Sequence, residues 1–167
     1  MKKGFTLIEL IVVIAIIAVL AAIIAPNAFR AIEKGKISAT IGDLKSLKTA
    51  SMSFYADTGT WPVDTDEESE PNTFIEDDSD DPIDGWDGPY LEKFPMKTPF
   101  GGDYEWENDG DFDGDGTSTE QYLHVTSISG DVSAKIDRQL DGGDGEDEGN
   151  IRYDEDAETL DYLVADY

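Results

Sequence analysis

The chain has 167 residues, a formal net charge of −26 and no cysteine. That length allows one modest core beside an anchor or tail, and without thiols no disulfide can staple it and no acylated cysteine can anchor it. So acidic a surface repels nucleic acid and anionic headgroups, so nucleic acid is not an expected partner of this surface, and it favours divalent cations or a salty medium.

Residues 2–9 read KKGFTLIE, and an uninterrupted apolar run continues to Ala25. From Phe5 that run spans about 31 Å as a helix, the thickness of a bilayer core. It is longer than the apolar region of a secretory signal, about 7–15 residues, and no polar stretch precedes Ala21, Ala22 and Ala25 to make them a cleavage site. Lys2 and Lys3 predict a cytoplasmic N-terminal end, with the remainder outside the cytoplasmic membrane. A carboxylate inside such a segment costs roughly 2.5–3.5 kcal/mol, so Glu9 is expected to have a partner. A positive charge on a second copy of the chain would supply it.

Pro26 removes a backbone donor and predicts a bend or an unwound turn. Beyond it Phe29, Ile37, Ile41, Leu44, Leu47 and Phe54 recur at helical spacing, with Lys36, Asp43, Lys45 and Lys48 between them. That is an amphipathic helix fit to lie on a sheet. Gly35 and Gly42 each weaken it by up to about 1 kcal/mol relative to alanine. Asp57-Thr58-Gly59 and Pro62 end it, giving one long kinked helix over about 5–57.

The region 59–103 is acidic and aperiodic, with charge runs at 64–70 and 76–84 in a solvated loop. A first strand is predicted around 104–106, a second over 122–128, and closing strands at 151–153 and 161–167. Val132, Ile136 and Leu140, spaced by four, predict a short helix capped by Ser129 or Asp131. The fold class is therefore α+β: a long kinked N-terminal helix, transmembrane in its first half, packed on a small antiparallel sheet with long acidic loops. The segments are a leader at 1–4, a membrane helix at 5–25, its amphipathic continuation at 26–58, an acidic loop region at 59–103 and a sheet domain at 104–167.

Asp109, Asp111, Asp113, Gly114, Asp115 and Glu120 fit D-x-D-x-D-G-x5-E, the calcium-loop pattern. Carboxylates at alternate positions turn towards a hard cation, Gly114 permits the sharp turn, residue 115 offers a carbonyl and Glu120 closes the shell. Gly116 replaces the usual hydrophobic residue and the flanks are strands, so an EF-hand-like loop is expected rather than an EF-hand domain. The alternative is a further acidic turn in an acidic chain. A second loop, with Asp141, Asp144, Glu146 and Asp147, lacks that register and is either solvated or an added source of ligands. His124 reads as a surface or edge histidine, and Trp61, Trp86 and Trp106 as packing residues. No pair of carboxylates is singled out, and no nucleophile triad, phosphate loop or zinc cluster is present, so the chain is not expected to be an enzyme.

The segment GFTLIELIVVIAIIAVLAAIIAPN resembles the N-terminal segment of type IV pilins and of type II secretion pseudopilins. The resemblance implies a peptidase cut between Gly4 and Phe5, N-methylation of Phe5, Glu9 as the assembly carboxylate and Pro26 at the helix kink. Phrases such as YADTGTWP, GPYL and TPFGGDYEW also resemble the loop and strand region of secretion-type pseudopilins and related Gram-positive pilins; the major pseudopilins carry a structural calcium. Implied partners are further copies of the chain, a prepilin peptidase, an inner-membrane platform protein, an assembly ATPase, minor pilins and, before assembly, the membrane. The implied function is a filament subunit, foremost the major pseudopilin of a secretion system. The alternatives are a major pilin for adhesion, motility or DNA uptake, and a membrane-tethered calcium-binding module that never polymerises.

Overall fold

The computed structural model describes residues 6–65, 73–77, 82–114, 116 and 119–166. Lys2, Lys3, Gly4, Phe5 and Asp115, and parts of both acidic charge runs, lie outside the described residues. The elements in chain order are α1 (Leu7–Thr58), β1 (Tyr104–Gly110), β2 (Glu120–Val125), α2 (Gly130–Leu140), β3 (Ile151–Asp154) and β4 (Thr159–Ala165). The α+β class is as the sequence implies.

The helix α1 runs through Pro26 without interruption, so the unwound turn expected there is not observed. One missing donor costs a single backbone bond, while the residues on either side keep theirs. The chain divides into two compact units, 1–36 and 37–167, with the division inside α1. In the first unit the large apolar side chains from Leu7 to Ile32 are all exposed, from 47% at Val13 to 75% at Leu7. Phe29, placed on the buried stripe by its spacing, is 70% exposed and belongs to this apolar surface.

In the second unit burial starts at Ile37 and recurs at Thr40, Leu44, Leu47, Ala50, Ser51 and Phe54. Ile41 is only partly buried, because the buried arc passes through the small residues Thr40, Ala50 and Ser51 instead. The sheet is antiparallel throughout, in the order β1-β2-β4-β3. Alternation along β2 sends Leu123 and Val125 inwards, and their neighbours Tyr104, Trp106 and Leu160 join Ile37, Leu44 and Leu47 in one core. Helix α2 adds Val132 and Ile136 to it. Ser129 is the N-cap, as expected, but it acts through its backbone: its carbonyl accepts from Val132 and Ser133, and its side chain makes no capping bond.

A cysteine-free domain needs another way to tie its long loop down, and here it is aromatic. Trp61 lies between Tyr55 (centroids 4.4 Å apart) and Trp106 (5.9 Å), and Phe74 bridges Trp106 and Phe94 at 5.8 and 5.6 Å. Trp106 Nε1 donates to the Pro62 carbonyl (3.0 Å) and its backbone N–H to Thr65 Oγ1 (2.8 Å). Each such pair adds about 0.5–1.5 kcal/mol beyond the area it buries. The packing role expected of Trp106 is thus met by a side chain with no exposed surface.

Candidate functional site

The first candidate is the head of α1. Thr6 and Glu9, three residues apart, form a reciprocal cap. The Thr6 N–H donates to Glu9 Oε2 (2.9 Å), the Thr6 hydroxyl donates to the same oxygen, and the Glu9 N–H donates to Thr6 Oγ1 (3.3 Å). This is the T-x-x-E capping box, which satisfies otherwise orphaned helix N–H groups. The T-x-x-E spacing is itself a sequence signal for such a cap. Glu9 therefore has a partner inside its own chain. Below it, α1 is the one helix among the described residues long and apolar enough to cross a membrane. Gly4 and Phe5, the expected cleavage pair, lie outside the described residues, and Pro26 stands exposed on the apolar helix.

The second candidate is the loop between β1 and β2. A register shift between Glu107 and Gly110 opens the ladder, and Asp109 takes a left-handed φ of 58°. Gly114 follows at φ 73°, the sharp turn the pattern requires. Asp109, Asp111 and Asp113 are exposed, whereas Glu120 at the start of β2 is 6% exposed. Asp109 Oδ1 accepts from Gln121 Nε2 (3.2 Å), and Asp111 Oδ2 accepts from the Gly116 N–H (3.1 Å). That last bond marks a second frame: D-x-D-x-D-G also reads from Asp111 to Gly116, two residues further on. Arg152 lies over the Phe112 ring (5.0 Å) and donates from Nη1 to the Asp113 carbonyl (3.0 Å). Hard oxygen donors fit calcium chemically, but among the described residues Asp109, Asp111, Asp113 and Glu120 do not bring three ligand atoms together.

The carboxylates that do converge among the described residues are Asp137, Asp141 and Asp144, with one oxygen from each within 4.8 Å of the others. Asp141 and Asp144 belong to the second acidic loop, and Asp137 sits on the last turn of α2. Burial pushes the Asp137 carboxyl above the usual carboxylate range, with the negative charges of Asp144 and Asp141 adding to it and backbone N–H groups of Gly145 and Gly143 opposing. Burial acts the same way on Asp141. Hydrogen bonds from Asn150 and Ile151, with the charge of Lys48, nevertheless hold its carboxyl below that range. Sequence reading missed Asp137 because it stands beside the apolar position Ile136. The available signal was a pair of acids at i and i+4 closing a helix, where the dipole favours cations.

His124 stands on an interior strand rather than at an edge: β2 is flanked by β1 and β4, and the side chain, pointing away from Leu123 and Val125, is one-quarter exposed. Its Nδ1 lies 2.6 Å from Asp161 Oδ1 on β4. The bond to Asp161 raises the His124 pKa above the ordinary 6.5, against a lowering by burial. A raised histidine pKa contributes stability that is full below the unfolded value and is lost as pH rises through the folded one. Thermal midpoints should therefore fall as pH climbs from about 6.5 through that elevated value, and His124→Gln should flatten the decline. An unchanged pH profile in the variant would remove the pair from the account.

A family model described as PilW, C-terminal, matches residues 31–118, and one described as the prokaryotic N-terminal methylation motif matches residues 1–25. No curated protein matches the chain. Among solved structures, the major type IV pilin PilA1 from Clostridium difficile is similar, with a TM-score of 0.52 and 21% identity over 81% of this chain and 98% of that one. At that identity the likeness is one of fold: a long apolar N-terminal helix with a small antiparallel sheet.

Proposed function

The chain belongs to the family described as PilW, C-terminal, and is a type IV pilin-like structural subunit; on that footing we propose that it polymerises as the major pseudopilin of a secretion filament. The observation that carries polymerisation is the first unit of α1. Its apolar side chains are exposed all round, which water does not tolerate and which a membrane, and then a bundle of like helices, would cover. A repeated contact between unlike surfaces of neighbouring copies, which does not close on itself, builds a helical filament. In that bundle Glu9 exchanges its Thr6 cap for the amine of a neighbour's Phe5, which neutralises both charges and sets the axial step.

Processing follows the methylation motif. A peptidase cut between Gly4 and Phe5 with N-methylation of Phe5 gives the amine that Glu9 meets. Mass spectrometry of mature protein is expected to find a methylated Phe5 as its first residue. An unmethylated terminus, or a first residue after Ala25, would defeat this reading. The helix is then inserted in the cytoplasmic membrane with the second unit outside, served by a platform protein, an assembly ATPase and minor pilins.

The secretion assignment over an adhesive, motility or DNA-uptake pilus rests on the missing cysteines and on the acidic loop between β1 and β2. Calcium held by Asp109, Asp111, Asp113, Asp115 and Glu120 would join β1 to β2 where the ladder opens, replacing a covalent staple. One observation favours a different reading, a tethered module that never polymerises: Glu9 is already satisfied by Thr6. The Glu9 variants argued in the Discussion separate the two.

A further inference from the structure

We propose that the segment 26–36, where α1 leaves the bilayer, is a docking surface for anionic phospholipid headgroups, with Arg30 and Lys34 as its main cations and Lys36 beside them. The inference rests on the membrane reading of α1 and is independent of polymerisation. It starts from the distribution of charge. Residues 59–167 hold 34 acidic and 5 basic side chains, so that part of the chain repels an anionic surface. In 26–36 the sign is reversed: Arg30, Lys34 and Lys36 stand against Glu33 alone. A cut between Gly4 and Phe5 would take Lys2 and Lys3 away, and Arg30 would then be the first basic residue of the chain.

Position and exposure point to lipid. The apolar run ends at Ala25. At about 1.5 Å per residue, Arg30, Lys34 and Lys36 follow about 8, 14 and 17 Å further along the helix. The headgroup layer is about 5–8 Å deep on each side of the hydrocarbon, and its field reaches about 8 Å further in physiological salt. Helical side chains lean towards the helix N-terminus, which here is the membrane side, so the long stems carry these charges back towards the phosphates. Arg30 and Lys34 are exposed, and among the described residues neither forms a hydrogen bond or an ion pair. Four residues apart, they share one face of the helix. Phe29 and Ile32, 70% and 56% exposed, share another. Apolar side chains next to cations at this depth suit the boundary between headgroups and acyl chains, where both find a partner. Lys48, further along α1, is by contrast taken up by its own chain: Nζ donates to the Leu163 carbonyl (2.9 Å) and lies 4.5 Å from the centre of the Tyr162 ring.

The test uses the full chain reconstituted in phosphatidylcholine vesicles that carry a trace of spin-labelled phosphatidylglycerol or, in a parallel sample, of spin-labelled phosphatidylcholine. Electron paramagnetic resonance then reads the fraction of each label held at the protein. A cation near an anionic surface is worth a bias of roughly fivefold. Wild-type protein should therefore hold phosphatidylglycerol several-fold over phosphatidylcholine, and about 1 M NaCl, with a Debye length of about 3 Å, should erase the difference. Arg30→Gln combined with Lys34→Gln, at exposed positions where glutamine is a comparable helix former, should lose most of the preference. Lys2→Gln combined with Lys3→Gln should keep most of it. A wild-type chain with no preference, a preference that salt leaves intact, or one undiminished in the Arg30→Gln, Lys34→Gln variant overturns the proposal. So does a variant with intact lipid preference and disordered filaments, which would give the two cations to acidic side chains of a neighbouring copy. The readout is taken on subunits in the bilayer, so a failure to polymerise leaves it unchanged. A chain that does not float with the vesicles defeats the membrane reading and this inference together.

Discussion

Glu9→Leu is expected to abolish ordered filaments while the second unit, residues 37–167, melts as before. The substitution removes a charge that insertion scales price at roughly 2.5–3.5 kcal/mol in a membrane centre, so insertion itself should improve. What it deletes is the anion that a neighbour's amine needs. It also deletes the cap, because leucine accepts no bonds from the Thr6 N–H and hydroxyl. Glu9→Gln separates the two effects, since glutamine serves at this capping position and carries no charge. Under the ion-pair reading both variants fail to assemble, as seen by electron microscopy of sheared filaments. Normally ordered fibres from Glu9→Gln would assign the residue to helix capping alone. Normally ordered fibres from both would sink the electrostatic account of register.

Trp106→Ala is the second large effect, with an expected loss of about 3–5 kcal/mol. Its indole is wholly buried and packs on Trp61 and Phe74. Truncation leaves a cavity and frees the Pro62 carbonyl of its donor, while the backbone bridge between Thr65 and residue 106 remains. For a unit of this size the midpoint should drop on the order of 10–20 °C. Trp86→Ala offers the contrast: that ring is only partly buried, with one contact to Tyr90 (5.8 Å) and one bond to the Thr73 carbonyl (3.0 Å). A drop in Trp106→Ala no larger than in Trp86→Ala would mean that the aromatic chain does not hold the long loop.

The elements were legible where one period dominates. The spacing of Leu44, Leu47 and Phe54 marks the buried face of α1, and Val132, Ile136 and Leu140 mark α2, because helices bury one stripe. Tyr104 and Trp106 likewise alternate into the core along β1. The strand order was not legible. Nothing in residues 159–165 says that they pair with both β2 and β3, since pairing partners are chosen by the whole sheet. At the sites, composite patterns were missed. The spacing from Asp109 to Glu120 is contiguous and therefore conspicuous. Asp137, Asp141 and Asp144 come from a helix turn and a loop, and only the turn of the backbone after Leu140 brings them together. Thr6 and Glu9 were three residues apart in plain view, but a cap is recognised by its bonds and not by the charge of its acid.

The sheet order carries a consequence for biogenesis. Strand β4 is the last of the four in chain order, yet it lies between β2 and β3. Until residues 159–165 join the sheet, the β1–β2 hairpin and β3 have no bridge, and the strand edges that β4 will cover stay open. The sheet therefore closes only when β4 is in place, and a chain truncated before Thr159 should be protease-sensitive where the full chain is resistant.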